Sequence, residues 1–393
     1  MHENLDYRGG IKEESAGERW LVFADTPLQV SNSLHILYGI ASNAKVDLMI
    51  YPQFEGAVEL AKRTECQGVF DEVIVLDFEE PKSFLHTNLQ MVGEYFGHRK
   101  RDFGFLEKRS YERLFIACPT VVSYEVAIAL KDINPALEVL FYEDGTGSYS
   151  GNVFRGSSYP DDAPRGVVNV HWYWRLLKRL SRAFGLDGRY RATAIYVKVP
   201  DLVDYDPPFQ ILQLPTKETP PELQKALFGD ADSSMFDGLR VVFLDTPRDA
   251  AIDVEAAAAI DACLKESLDM GVPCAIRNHP RSTTSSELAG TCRVVDGGMW
   301  EFVSAYLDDG CILAGLGSSA QLAPKIENGN EQPLLFLHRL AYKEQSLSYK
   351  KAEKVLKIAR SAYDNNNLIL APKSYDELLS VLGQLCEYQV EET

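Results

Sequence analysis

Six residues near the start of the chain, Val22-Phe23-Ala24-Asp25-Thr26-Pro27, return with one mismatch as Val242-Phe243-Leu244-Asp245-Thr246-Pro247. The first copy is the end of an apolar, strand-like run that stops at Asp25-Thr26-Pro27-Leu28-Gln29. From Val30 to Ala41 the apolar residues take helical spacing (Leu34, Leu37, Tyr38, Ala41). Strand, short loop, helix is the opening of a doubly wound half. The second copy falls where the first strand of another such half is expected. A chain of 393 residues is also too long for one ordinary core.

The alternation continues through both halves. Strands are predicted at Val46 to Ile50, Val73 to Leu76, Leu114 to Cys118 and Glu138 to Tyr142, with helices at Gly56 to Arg63 and Ser123 to Lys131. The longer, polar stretch from Pro81 to Arg109 also reads as helical. The second half offers helices at Val254 to Leu268, near Trp300 to Leu307, from Ser319, at Tyr349 to Ser361 and at Tyr375 to Glu387. Its strands are Val272 to Ile276, Arg293 to Val295, Cys311 to Ala314, Pro333 to Leu337 and Leu368 to Leu370. Such alternation means parallel sheets covered on both faces. The expected fold is α/β, two Rossmann-like doubly wound domains. Residues 1–200 form the first (1–19 a flexible leader), a linker at 201–238 carries Pro207-Pro208, Pro215 and Pro220-Pro221, and 239–393 form the second.

Composition narrows the function classes. A net charge of −17 argues against a general nucleic-acid binder. No run approaches ~18 apolar residues, so no membrane span is expected, and the polar N-terminus is no signal peptide. Seven cysteines are scattered singly, without a CxxC pair, which suits a reducing, cytoplasmic compartment. No HExxH or paired Cys/His spacing appears, so a metal-independent mechanism is expected; Asp161-Asp162 reads as a solvated pair. One stretch, 171–184, stands out as basic, with Arg175, Lys178, Arg179 and Arg182 beside Trp172, Leu176, Leu180 and Phe184. It reads as an ordinary surface helix, or as a peripheral contact with an anionic membrane face.

Three loops follow strands at their carboxyl ends, where open α/β sheets bind ligands. In Glu143-Asp144-Gly145 two adjacent acids cannot both ionise cheaply in a partly desolvated crevice, so one can act as a base. In Arg277-Asn278-His279-Pro280-Arg281 an imidazole lies between two arginines, a composition suited to a phosphate. In Gly315-Leu316-Gly317-Ser318-Ser319 a glycine turn leads to two hydroxyls at a helix N-terminus, a phosphate cradle in form. It lacks the GK[ST] of a Walker loop and is not GxGxxG. Each loop has a plain alternative: an Asp-Gly turn, a surface His, a helix cap.

Taken together, Tyr142-Glu143-Asp144-Gly145, His279-Pro280 and Ser318-Ser319 resemble, in order and separation, the motifs of bacterial sialyltransferases of the polysialyltransferase and lipooligosaccharide sialyltransferase families. Thr26-Pro27-Leu28-Gln29 is similar to their N-terminal loop. The resemblance implies a GT-B glycosyltransferase with its two sheets facing a central cleft, CMP-N-acetylneuraminate as donor, and inverting transfer to a capsule or lipooligosaccharide glycan. It makes Asp144 the general base, supported by Glu143, with Thr26, Pro27, Gln29 and Gly145 around the acceptor. His279 would stabilise or protonate the leaving group, Ser318 and Ser319 would hold the CMP phosphate, and Pro280, Arg277, Arg281 and Gly317 would line the donor site. Glu301 or Asp296 would serve the ribose. No cofactor is implied. The expected partners are a CMP-sugar and a glycan; a homodimer, the polymerising activity and another CMP-sugar stay open. An epimerase acting on a UDP-sugar, or a non-catalytic nucleotide- or glycan-binding protein of capsule assembly, would share the fold. The location implied is cytoplasmic, at the inner face of the bacterial membrane.

Overall fold

The computed structural model describes residues 17–54, 56–77, 103–151, 153, 191–216, 219–230, 232–246, 254–279 and 287–391. The basic stretch 171–184, Asp161-Asp162, Pro280, Arg281 and most of the 81–109 segment lie outside them. The chain divides into two compact units, Met1–Leu227 and Phe228–Thr393.

The first unit is built on a sheet of seven strands: β1 (Arg19–Ala24), β2 (Lys45–Ile50), β3 (Glu72–Val75), β4 (Arg113–Ile116), β5 (Glu138–Tyr142), β6 (Ala194–Val197) and β7 (Gln210–Gln213). Their spatial order is β3-β2-β1-β4-β5-β6-β7, and every pairing is parallel. Strands β1, β4 and β5 are buried almost throughout, as a parallel sheet with helices on both faces requires. Its helices are α1 (Pro27–Gly39), α2 (Ala57–Gln67), α3 (Val121–Ile133), the short α4 (Thr146–Ser150) and α5 (Pro221–Phe228), which runs one residue past the division.

Two of these helices show why sequence sets their starts. The Thr26 hydroxyl accepts from the Gln29 N–H at 3.3 Å, and Pro27 occupies the first turn, where its missing N–H costs nothing. Helix α3 begins two residues before the expected Ser123. Thr120 is its cap, and Ser123 completes a reciprocal capping box with it.

The second unit carries six strands: β8 (Val241–Leu244), β9 (Cys274–Arg277), β10 (Arg293–Val294), β11 (Ile312–Gly315), β12 (Leu334–Phe336) and β13 (Ile369–Leu370). The order is β10-β9-β8-β11-β12-β13, again all parallel. Helices α6 (Val254–Asp269), α7 (Trp300–Val303), α8 (Ser319–Asn328), α9 (His338–Ala341), α10 (Leu347–Ala362) and α11 (Tyr375–Glu391) accompany it. A core of Val241, Phe243, Ile260, Leu264, Ile276, Leu335, Leu378 and Leu382 joins sheet to helices α6 and α11. Burying each such side chain contributes about 1.5–3 kcal/mol.

Both sheets are therefore doubly wound, with the order reversing beside β1 in one and β8 in the other. These are the two strands that carry the near-repeat. Within 201–238, read above as a linker, Gln210–Gln213 forms the edge strand β7, paired with β6 at Ala194↔Gln210, and Pro221–Phe228 is helical. Among the described residues no helix is long and apolar enough to cross a membrane.

Candidate active site

In the first unit the site grows out of the end of β5. Tyr142 is fully buried and its hydroxyl donates to the Phe23 carbonyl at 2.7 Å, tying β5 to β1. Burial, with the charges of Asp25 and Asp144 adding to it, drives the Tyr142 phenol well above its ordinary pKa, so it stays a neutral donor.

The two acids that follow part company. Glu143 is 1% exposed. Its carboxylate accepts from the Tyr149 hydroxyl at 2.5 Å and from the Lys198 backbone N–H at 2.7 Å. Its carbonyl accepts from Asn32 Nδ2 at 2.9 Å. Glu143 thus clamps α1, α4 and the end of β6 together and faces inward. Asp144 is half-buried. Its backbone N–H donates to Ser148 Oγ at 2.7 Å, and its Oδ1 accepts from Gln29 Nε2 at 3.1 Å. Gly145 then turns the chain at φ 58°, ψ −152°, a conformation that side-chain-bearing residues avoid.

Gln29, 1% exposed, is fixed at both ends of its amide. Its Oε1 accepts from the Asp25 N–H at 2.8 Å, so the NH₂ must point at Asp144. Of the residues assigned by resemblance to this unit, Thr26, Pro27, Gln29, Glu143, Asp144 and Gly145 come together. Asn32, Ser148, Tyr149 and Lys198 join them unannounced by the sequence.

In the second unit, β9 ends at Arg277, whose guanidinium donates to the carbonyls of Val295 (3.0 Å), Gly297 (2.9 Å) and Gly298 (2.8 Å). Burial lowers its pKa, while Asp296 and Glu301 hold it up. Arg277 therefore organises the loop after β10. Glu301, on the first turn of α7, is part of the same charged group. His279 follows two residues on and is half-buried.

The Gly315–Ser319 turn closes β11 and opens α8. Gly317 sits at φ +88°, and a Cβ there would lie 3.1 Å from the Ala352 Cα, so both backbone shape and space call for glycine. Gln321, fully buried, accepts from the Gly317 N–H at 2.7 Å and donates to the carbonyls of Leu313 and Leu335, each at 3.2 Å. Trp300 Nε1 donates to the Ala320 carbonyl at 2.7 Å. The first turn of α8 is thus held from two sides. The Ser318 side chain makes no capping bond, and neither it nor the Ser319 hydroxyl bonds to any described residue. Both are half-buried and available, beside the partial positive end of a ten-residue helix. Gln29 and Gln321 each stand three residues after the capping residue, the S/T-x-x-Q pattern that could have singled out Gln321. Among the described residues no group of His, Cys, Asp and Glu is arranged to hold a metal.

No family model matches the chain, and no curated protein matches it. Among solved structures it is similar to the spinosyn rhamnosyltransferase SpnG complexed with thymidine diphosphate, at TM-score 0.48 and 12% identity, over 94% of this chain and 90% of that one. It is similar to a putative UDP-N-acetylglucosamine 2-epimerase from Listeria monocytogenes (TM-score 0.47, 10% identity, 90% of each chain). A third likeness is to MurG of Acinetobacter baumannii (TM-score 0.42, 9% identity, 95% and 92%). The structural neighbours thus include glycosyltransferases and epimerases, and at this level of likeness none of their ligands or reactions transfers to this chain.

Proposed function

We propose that the chain is an inverting, metal-independent glycosyltransferase that moves sialic acid from CMP-N-acetylneuraminate to a surface glycan. The observation that carries this is the separation of the two acids. Glu143 is consumed by buried donors, while Asp144 is half-buried with one oxygen anchored by Gln29. That is the arrangement a general base needs: a carboxylate held in place at the end of a strand and not withdrawn into the core.

On the donor side, Ser318, Ser319 and the N–H groups opening α8 would hold the CMP phosphate. His279 would donate to the departing phosphate oxygen, and Glu301 would take the ribose. Glu143 shapes the loop that presents Asp144, and Arg277 shapes the loop before α7. Charge developing on the phosphate meets donors already in place, which lowers the barrier without reorganisation.

Calorimetric titration with CMP, UDP and GDP tests the donor class. Preference for CMP is expected. Preference for UDP, with turnover of a UDP-sugar in the absence of acceptor, would move the chain to the epimerase reading.

A further inference from the structure

Two polar residues stand where the order of the second sheet reverses. Leu244 and Arg277 are the last register partners of β8 and β9, and the Asp245 N–H carries the ladder one step further by donating to the Arg277 carbonyl at 3.0 Å. Asp245 and Asn278 therefore leave the two strands side by side at their carboxyl ends. On the other side of β8 lies β11, paired through Phe243↔Ala314, and it runs into the Gly315–Ser319 turn. The strand order reverses beside β8, and such a reversal is where open α/β sheets take their ligands.

The Asn278 amide differs from those of Gln29 and Gln321, each of which is bonded at both ends. Asn278 Oδ1 is buried and accepts from nothing, and no described group ties its Nδ2. A buried acceptor without a donor is costly, and folded proteins keep few of them. The residue as a whole is half-buried. An amide that nothing holds can therefore turn to meet a group arriving at the end of β9. What Oδ1 lacks is a donor, which the oxygens of a phosphate or a carboxylate cannot supply.

We propose that Asn278 determines which nucleobase the donor site takes, its Oδ1 accepting a hydrogen bond from the exocyclic amine of cytosine. The inference rests on the CMP reading above. With the phosphate on the first turn of α8, after β11, the end of β9 lies two strand spacings away, about 10 Å. That is the reach of a nucleoside monophosphate from its phosphate to the edge of its base. Cytosine offers its amine on that edge as a donor. Uracil carries a carbonyl oxygen there instead, which would meet Oδ1 acceptor to acceptor. Asp245, 7% exposed, sets a carboxylate at the same end of the sheet, which opposes a carbonyl oxygen as well; its Oδ1 accepts from the Thr246 N–H at 2.9 Å. Successive residues of an extended chain point to opposite sides, so Asn278 can take the base while His279 takes the phosphate oxygen.

Calorimetric titration of the full chain with CMP and UMP tests it, because the two differ only at the edge of the pyrimidine. The parent should bind CMP more tightly by roughly tenfold or more. Asn278→Ala should weaken CMP until the two nucleotides bind within a few fold of each other. It should not lower thermal stability, since Oδ1 has no partner in the fold to lose. Asn278→Asp, which offers acceptors only, should keep the preference for CMP. A preference unchanged in Asn278→Ala, or lost equally in Asn278→Asp, would overturn the proposal and leave the CMP reading in place. So would a marked loss of stability in Asn278→Ala, the sign of an amide that serves the fold. Equal binding of the two nucleotides by the parent would overturn it too. Preference for UMP, or binding of neither, would overturn it together with the CMP reading.

Discussion

Gln29 Nε2 donates to Asp144 Oδ1 at 3.1 Å while Gln29 Oε1 accepts from the Asp25 N–H at 2.8 Å. One buried amide therefore links the end of β1 to the loop after β5, across the intervening β4. Replacing it by Ala leaves the Asp25 N–H buried and unpaired, at about 1–3 kcal/mol of stability. It also frees the Asp144 carboxylate to turn, so kcat should fall by roughly 10²-fold with donor KM little changed. Gln29→Glu is the sharper variant. A second carboxylate facing Asp144 disfavours its ionised form, so the acid limb of the pH–rate profile should move to higher pH. Steady-state kinetics against pH checks both.

Gly145 stands at φ 58°, ψ −152°. Gly145→Ala should cost about 1–3 kcal/mol through backbone strain alone. Because the strain falls between Asp144 and Ser148, activity should drop further than stability does. Urea unfolding beside an activity assay separates the two.

These relationships were legible in the sequence to different depths. The buried strands of both sheets and the two doubly wound units follow from apolar runs ending at turn residues, and the near-repeat marks the strand beside each reversal. Strand β7 was hidden because Gln210-Ile211-Leu212-Gln213 sits among prolines and offers two apolar residues. Strand β6 was hidden because its four residues follow a long polar stretch. The resemblance already set Asp144 apart from Glu143 as the base; what it could not show is Tyr149 and Lys198, which only the fold brings to Glu143. The hold of Arg277 on the next loop was not legible, because the sequence cannot show that the carbonyls of Val295, Gly297 and Gly298 surround it.

The Ser318 and Ser319 hydroxyls bond to nothing described within the fold. Ser318→Ala/Ser319→Ala should therefore leave thermal unfolding within about 0.5 kcal/mol of the parent. Losing two hydrogen bonds to a charged phosphate should weaken CMP by roughly tenfold or more. Unfolding scans and CMP titration of the same variant check the pair of outcomes.

The Arg339–Glu353–His338 group makes stability depend on acid. Arg339, and then His338, hold the Glu353 carboxyl at about 2, against burial that opposes them. A carboxyl whose folded pKa is depressed contributes stability above its unfolded pKa and loses it as pH falls towards the folded one. The contribution is therefore full above about 4.5 and gone near 2. Burial lowers the His338 pKa below 6.5, so charging it in mild acid works in the same direction. Glu353→Gln should be less stable than the parent at neutral pH, and the gap should close as pH approaches 2. Denaturant unfolding over that pH range measures it.

The central assignment is Asp144 as the base in transfer from CMP-N-acetylneuraminate. CMP release in the presence of a panel of glycan acceptors, for the parent and Asp144→Asn, tests it most directly. Asn keeps the shape and the contact with Gln29 but cannot accept the acceptor's proton. The expected result is acceptor-dependent CMP release by the parent and a loss of about 10²–10⁴-fold in the variant, with CMP affinity unchanged. Parent-level turnover by Asp144→Asn, or no CMP release by the parent with any acceptor, would contradict it.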